Sequence, residues 1–172
     1  MSFLQRLFAR TDRRRTYDPL YRAIVADARD PVWYRHGMVP DTVDGRFDLV
    51  AAVTALVLLR LEAEGEAGRE PSVLLTELFI DDMDSSLRQI GIGDYVVGKH
   101  IGRLMGALGG RLGALREAED RGLEAFAVHN IFHDKPPTDE APKRVAARLE
   151  QVRLALREQP LDALLAGPVQ VP

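Results

Sequence analysis

Apolar residues recur along most of this chain at the three- and four-residue spacing of amphipathic helices, and no stretch alternates as a strand would. In a first helix Asp18 is the predicted cap and Pro19 lies in the first turn, and Asp30-Pro31 ends it. A short turn or helix follows at residues 32–36. Further helices are predicted over residues 72–90 with Ser72 as cap, 94–121 with Asp94 as cap, 123–132 and 142–159.

One segment, at about residues 46–64, has apolar side chains around nearly its whole helical circumference, which is typical of a helix in the middle of a core. The chain has 172 residues, of which 46% are hydrophobic, enough for one sizeable core. We therefore predict an all-α fold, a single-domain irregular helical bundle around this central helix. The helical domain is expected over residues 16–160, followed by a weakly ordered tail over 161–172.

The N-terminal residues 1–15 form a segment of their own, basic and amphipathic. Five arginines stand there against Asp12, whereas the whole chain has a formal charge of −3. A helix would place the apolar side chains on one side and arginines on the other, as in segments that lie on anionic lipid. The candidate membrane-contact residues are Phe3, Leu4, Leu7, Phe8, Arg6 and Arg10.

Several classes of site are excluded or disfavoured by composition. The chain has no cysteine, hence no disulfide, thiolate nucleophile or cysteine zinc site, in keeping with a cytoplasmic protein. The longest apolar stretch, residues 49–61, is interrupted by Thr54 and Arg60 and is shorter than the roughly 20 residues of a membrane span. We expect a soluble protein with no specific nucleic-acid partner.

Two motifs suggest enzymatic chemistry. Residues 93–99 satisfy G-x-x-x-x-G-K, but His100 stands where a phosphate-binding loop has Ser or Thr, and a helix rather than a strand is predicted before it. The acidic cluster Asp81, Asp82 and Asp84 could bind magnesium, although its carboxylates fan out around the helix. A solvated acidic face is the favoured interpretation.

Other polar residues are interpreted as structural. Asp82 falls on the apolar sector of its helix, so it needs a partner, and we predict Arg46 or Arg60. Asp84 and Arg88 have the spacing of a surface ion pair. His129 and His133, at i and i+4, are predicted to face solvent.

Five glycines lie within the predicted helix at residues 94–121, and each interior glycine costs roughly 0.5–1 kcal/mol relative to alanine. Either the helix is broken near Gly109-Gly110, or the glycines form a smooth surface for close approach of another backbone. That backbone would lie inside the domain, which is slightly favoured, or in a client protein. The glycines are Gly102, Gly106, Gly109, Gly110 and Gly113.

Residues 17–111 resemble the ubiquinol–cytochrome c chaperone family. The resemblance rests on the segments VPDT (39–42), DGRFD (44–48), DMD (82–84), LR (87–88), GIGD (91–94) and GR (110–111). It implies a helical, non-enzymatic assembly factor without a cofactor, which binds newly made cytochrome b or other subunits of the cytochrome bc1 complex. Mitochondrial relatives are also linked to the ribosome and to a small partner subunit. This chain resembles a bacterial member, expected in the cytoplasm and at the inner membrane.

Candidate residues for these roles all lie in the region of resemblance. The protein-binding candidates are Tyr34, Asp41, Phe79, Met83, Tyr95 and Met105, and the structural polar braces are Arg46, Asp48, Asp82, Arg88 and Asp94. Two alternatives to the chaperone stay open: a magnesium-dependent α-helical enzyme using Asp81, Asp82 and Asp84, and a membrane-surface adaptor without a client.

Overall fold

The computed structural model describes residues 14–89 and 97–167, with the side chains of 87–89, 97–100 and 119–120 left undescribed. These ranges are helical and contain no strand, which confirms the all-α, single-domain prediction. The helices are α1 (Asp18–Ala28), α2 (Pro31–Arg35), α3 (Val43–Glu62), α4 (Glu66–Gln89), α5 (Val97–Arg121), α6 (Leu123–Asn130), α7 (Glu140–Glu158) and α8 (Leu161–Ala166). No described helix is both long and apolar enough to cross a bilayer.

Helix α3 is the predicted central helix, surrounded by α1, α4, α5 and α7. Its middle turns are buried on all sides, from Asp48 to Leu58. The helix begins three residues before the predicted start because the Thr42 hydroxyl accepts a hydrogen bond from the Gly45 amide at 3.1 Å. An all-round apolar helix can be stable only in such a position, so the core forms around it.

Helix α7 packs on the core through the predicted stripe Val145, Leu149, Val152 and Leu156, each at most 1% exposed. Its C-terminal end is bound by Arg60 of α3. The Arg60 guanidinium donates to the carbonyls of Leu156 at 2.9 Å and Gln159 at 3.0 Å, and pairs with Glu64. No amide within the helix donates a hydrogen bond to these terminal carbonyls, so a cation that donates to them is favourable.

The connection between α3 and α4 is shorter than predicted. Gly65, at φ +62°, turns the chain directly after α3, and α4 begins at Glu66. The predicted cap Ser72 therefore lies inside α4, where its hydroxyl donates to the Gly68 carbonyl at 2.7 Å. Gly68 is required here: a Cβ at this position would lie 1.8 Å from the Leu61 carbonyl oxygen.

Two further boundaries differ from the predictions. Asp18 is the first residue of α1 and makes no capping hydrogen bond, whereas Asp30 caps α2 by accepting from the Val32 amide at 2.8 Å. Residues 161–166 were expected in a weakly ordered tail but form α8. Leu164 is fully buried in the core cluster, and α8 packs on α1, so this helix belongs to the domain.

Candidate functional site

Helix α5 presents an open, glycine-lined surface. The helix is continuous through Gly109-Gly110, which excludes the alternative of a break there. A Cβ added at any of the five glycines would meet no atom of the described residues within 4 Å, so packing against these parts of the domain does not explain them. We call this surface the glycine face: Gly102, Gly106, Gly109, Gly110 and Gly113.

The opposite side of α5 attaches the helix to the core. Leu104, Leu108, Leu115 and Ala118 are all at most 6% exposed and follow one another at helical spacing. The glycine face points away from them and spans roughly a third of the circumference at about 100° per residue. The helix is thus held on one side and left smooth on the other.

Apolar side chains border the glycine face. Ile101 and Met105 are 38% and 48% exposed, large values for such residues, and helical geometry aligns them with Leu112. Leu112 also lines a groove of about 380 Å³ with Leu58 of α3 and Val73 of α4. Glu62, Arg69 and Thr76 supply polar groups to this α4/α5 groove. The glycine face, Met105 and the groove therefore form one continuous surface.

A buried ion pair holds α5 against α3 beneath this surface. Arg111 and Asp48 are 7% and 3% exposed and bond to each other, and the Arg111 guanidinium also donates to the carbonyls of Ala107 and Asn130, both at 3.1 Å. The guanidinium lies 5.6 Å from the centre of the Phe47 ring. Asp48 therefore joins α3 to α5 through the Arg111 guanidinium, and its role as a structural brace stays a prediction.

The second oxygen of Asp48 contacts His133 Nε2 at 2.8 Å. His133 and Asp134 follow α6 with φ of 49° and 62°, and this left-handed turn directs the exposed ring of His133 toward α3. Burial raises the pKa of Asp48, opposed by Arg111 and His133. Burial likewise lowers the pKa of Arg111, opposed by Asp48. Burial is thus the main cause of both shifts, and the attraction between the two side chains opposes it.

The acidic cluster on α4 is divided between different partners. Asp81 pairs with Arg14, which also lies 3.9 Å from Glu77. Asp82 is half-buried and accepts a hydrogen bond from the Tyr21 hydroxyl at 2.8 Å. The prediction that Arg46 or Arg60 meets Asp82 is wrong. In the part of the chain that is described, no three His, Asp or Glu side chains converge as metal ligands.

Tyrosine is the partner that sequence reasoning missed. Tyr21 is only 8% exposed, and burial followed by the contact with Asp82 strongly raises its pKa. A neutral hydroxyl is sufficient for a carboxylate that keeps part of its solvent contact. The sequence did contain a signal for this contact, because Tyr21 lies on the apolar stripe of α1 together with Leu20 and Ile24.

The predicted protein-binding residues fall into separate groups. Met105 lies on the open surface of α5, whereas Phe79 and Met83 are 0% and 7% exposed and belong to the core, so they cannot contact a partner in this conformation. Tyr34 and Asp41 line a different surface pocket together with Arg46. There Arg46 pairs with Asp41 at 2.6 Å, which lowers the pKa of the Asp41 carboxyl.

Other candidate residues lie outside the described residues. These are the membrane-contact candidates Phe3, Leu4, Leu7, Phe8, Arg6 and Arg10, together with Asp94, Tyr95 and the side chain of Arg88. The histidines predicted to face solvent are exposed, but each contacts a carboxylate: His129 meets Asp134, and His133 meets Asp48. The two rings therefore do not act together as ligands of one metal ion among the described residues.

Comparison with known proteins completes the description of the site. A family model described as ubiquinol-cytochrome C chaperone matches residues 35–171. The chain is also similar to a solved structure described as the crystal structure of the Cbp3 homolog from Brucella abortus, with 32% sequence identity and a TM-score of 0.80. That match covers 99% of this chain and 97% of the other. Comparison with curated proteins gives no match.

Proposed function

The chain belongs to the ubiquinol-cytochrome C chaperone family, and from this premise we propose that it binds newly made cytochrome b during assembly of the bc1 complex. Membership of the family makes it an assembly chaperone and not an enzyme. The alternative of a magnesium-dependent enzyme using Asp81, Asp82 and Asp84 is therefore abandoned. The divided contacts of these carboxylates agree with that conclusion.

The observation that carries the proposal is the open surface on α5. Five glycines in a helix that needs none of them for its own packing destabilise it by roughly 0.5–1 kcal/mol each relative to alanine. Such a surface suits a partner whose backbone must approach closely, as small residues do between transmembrane helices. Apolar segments of cytochrome b that have not yet been inserted into the membrane are partners of this kind.

The neighbouring side chains suit the same client. Met105 is flexible and polarisable, which fits a surface that contacts several apolar sequences in turn. The α4/α5 groove extends the apolar area through Leu58, Val73 and Leu112. The buried pair of Asp48 and Arg111 keeps α5 in place while its outer side is occupied.

The proposed location is the cytoplasmic side of the inner membrane, where a membrane-protein client is inserted. Residues 1–15 support it by their pattern, because each basic residue near an anionic surface is worth about 1 kcal/mol and apolar side chains add to this. Deleting residues 1–15 should release the protein from membranes in cell fractionation. Unchanged membrane association of the deletion variant would refute this location.

Crosslinking in cells tests the client. A photoreactive residue replaces Met105 on the open surface or, as control, Ala147 at an exposed position of α7. Under active bc1 synthesis, cytochrome b should be recovered from position 105 and not from position 147. Equal recovery at both positions, or none at position 105, would contradict the client surface and favour an adaptor without a client.

A bulky substitution tests the glycine face itself. Gly106→Leu adds a side chain where there is open space and replaces a poor helix former, so the fold should be retained. We expect less crosslinked cytochrome b and less assembled bc1 complex than with Ala147→Leu, which adds bulk to an exposed part of α7. Normal assembly with a folded Gly106→Leu protein would show that the glycine face is not the client surface.

A further inference from the structure

A second surface site lies at the end of the bundle where α1 ends, α2 runs and α3 begins. It is a pocket of about 390 Å³, which we call the arginine pocket. Its lining is Arg29, Pro31, Tyr34, Arg35, Asp41 and Arg46. The end of α1, helix α2 and the start of α3 thus bring three guanidinium groups to one cavity.

Two of these guanidinium groups have no compensating partner within residues 14–89 and 97–167. Neither Arg29 nor Arg35 has a hydrogen-bond or ion-pair partner for its side chain among the described residues. Arg46 and Asp41 neutralise each other through their 2.6 Å contact. The pocket therefore has an excess charge of about +2 on a chain whose overall charge is −3.

One wall of the pocket is fixed. The Tyr34 hydroxyl donates to the Ala28 carbonyl at 3.0 Å, which holds the ring beside the end of α1. Pro31 restricts the backbone between Arg29 and Arg35. The two arginines therefore project from a short, rigid corner, which lowers the cost of ordering them around one ligand.

We propose that the arginine pocket binds the phosphate group of a ligand. Guanidinium groups offer paired N–H donors that match phosphate oxygens, and a phosphate monoester carries about −1.5 to −2 at pH 7, which balances the two free cations. A single carboxylate would leave one of them unmatched. The volume leaves space for a small organic group attached to the phosphate. This inference does not depend on the client surface of α5.

Such a phosphate has two possible sources, the headgroup of an anionic membrane lipid and a soluble phosphate ester. The test has one arm for each. In the first, glycerol 3-phosphate is titrated into the full chain by calorimetry. In the second, the full chain is sedimented with phosphatidylcholine vesicles that contain or lack phosphatidic acid.

The variant Arg29→Gln/Arg35→Gln removes the two free cations. The matched control is Arg22→Gln/Arg121→Gln, which removes two positive charges from exposed positions outside the pocket. Thermal unfolding confirms that both are folded. In at least one arm the pocket variant should lose binding about tenfold or more, while the control stays within about twofold of the original protein.

The pattern across the arms identifies the source. Loss confined to glycerol 3-phosphate indicates a soluble ester, and loss confined to phosphatidic acid vesicles indicates a lipid. Loss in both indicates a phosphate site open to either. Equal binding by pocket variant and control in both arms would mean diffuse charge attraction and would overturn the proposal, as would absence of binding by the original protein in both.

Discussion

The buried pair between α3 and α5 gives the sharpest stability prediction. Replacing Arg111 by methionine, a side chain of similar length, removes the cation and leaves Asp48, at 3% exposure, with His133 as its remaining partner among the described residues. The carbonyls of Ala107 and Asn130 lose a donor in the same step. An uncompensated buried carboxylate is the principal consequence.

Removing one partner of a buried pair costs about 3–5 kcal/mol, a large part of the roughly 5–15 kcal/mol that keeps a domain folded. For a chain of this size that corresponds to about 6–20 °C in melting temperature. Arg116→Met is the control on the same helix. Its ion pair with Glu62 is more than half exposed on both sides, so its loss should cost at most about 1 kcal/mol.

Urea unfolding measures both variants through the fluorescence of Trp33, the only tryptophan, which is 1% exposed. The double variant Asp48→Leu/Arg111→Met should be more stable than Arg111→Met alone, because no charge is then buried. The reasoning is refuted if Arg111→Met is no more damaging than Arg116→Met, or if the double variant gains nothing over the single one.

Three further predictions concern other buried groups. Burial raises the pKa of Asp27 from 3.8 to about 6, so the stability that its protonated carboxyl contributes is fully present below about pH 4 and is lost as pH rises through 6. The unfolding free energy of the original protein relative to that of Asp27→Asn should therefore fall by up to about 3 kcal/mol between pH 4 and 7. A difference that does not change with pH would contradict this. The Thr54 hydroxyl is fully buried and has no hydrogen-bond partner among the described atoms. Thr54→Val should therefore raise the unfolding free energy by about 1 kcal/mol or more in urea titrations. A loss of stability would show that the hydroxyl does make a hydrogen bond in the folded protein. Gly68→Ala should lower the melting temperature sharply because its Cβ meets a backbone carbonyl at 1.8 Å, whereas Gly106→Ala should raise it slightly; equal effects would exclude this steric explanation.

The helices could be predicted from the sequence where one pattern dominates. The segment around Leu49 and Leu56 is apolar on all sides and is therefore stable only in the middle of the core. The apolar stripe of α7 likewise determines which side of that helix is buried. Boundaries were less predictable because they depend on single backbone conformations. Gly65 in a left-handed turn starts α4 at Glu66, although the polar composition of this stretch favours a loop.

Polar partners were harder to predict than helices. Charge alone pointed Asp82 toward an arginine, but which side chains meet depends on how α1 and α4 cross, and there Tyr21 is the neighbour. The glycines posed the opposite problem. Their spacing indicated a surface for close approach, while only the packing of α5 distinguishes an internal surface from an open one.

The contact of Arg60 with the end of α7 has a consequence for synthesis on the ribosome. The guanidinium and the Leu156 carbonyl are 96 residues apart in sequence, so residues up to Leu156 must be made before they can meet. Contacts of this separation form late because a long loop must close first. A nascent copy of this protein therefore places α7 on α3 only after α7 has been translated, and until then part of α3 stays uncovered.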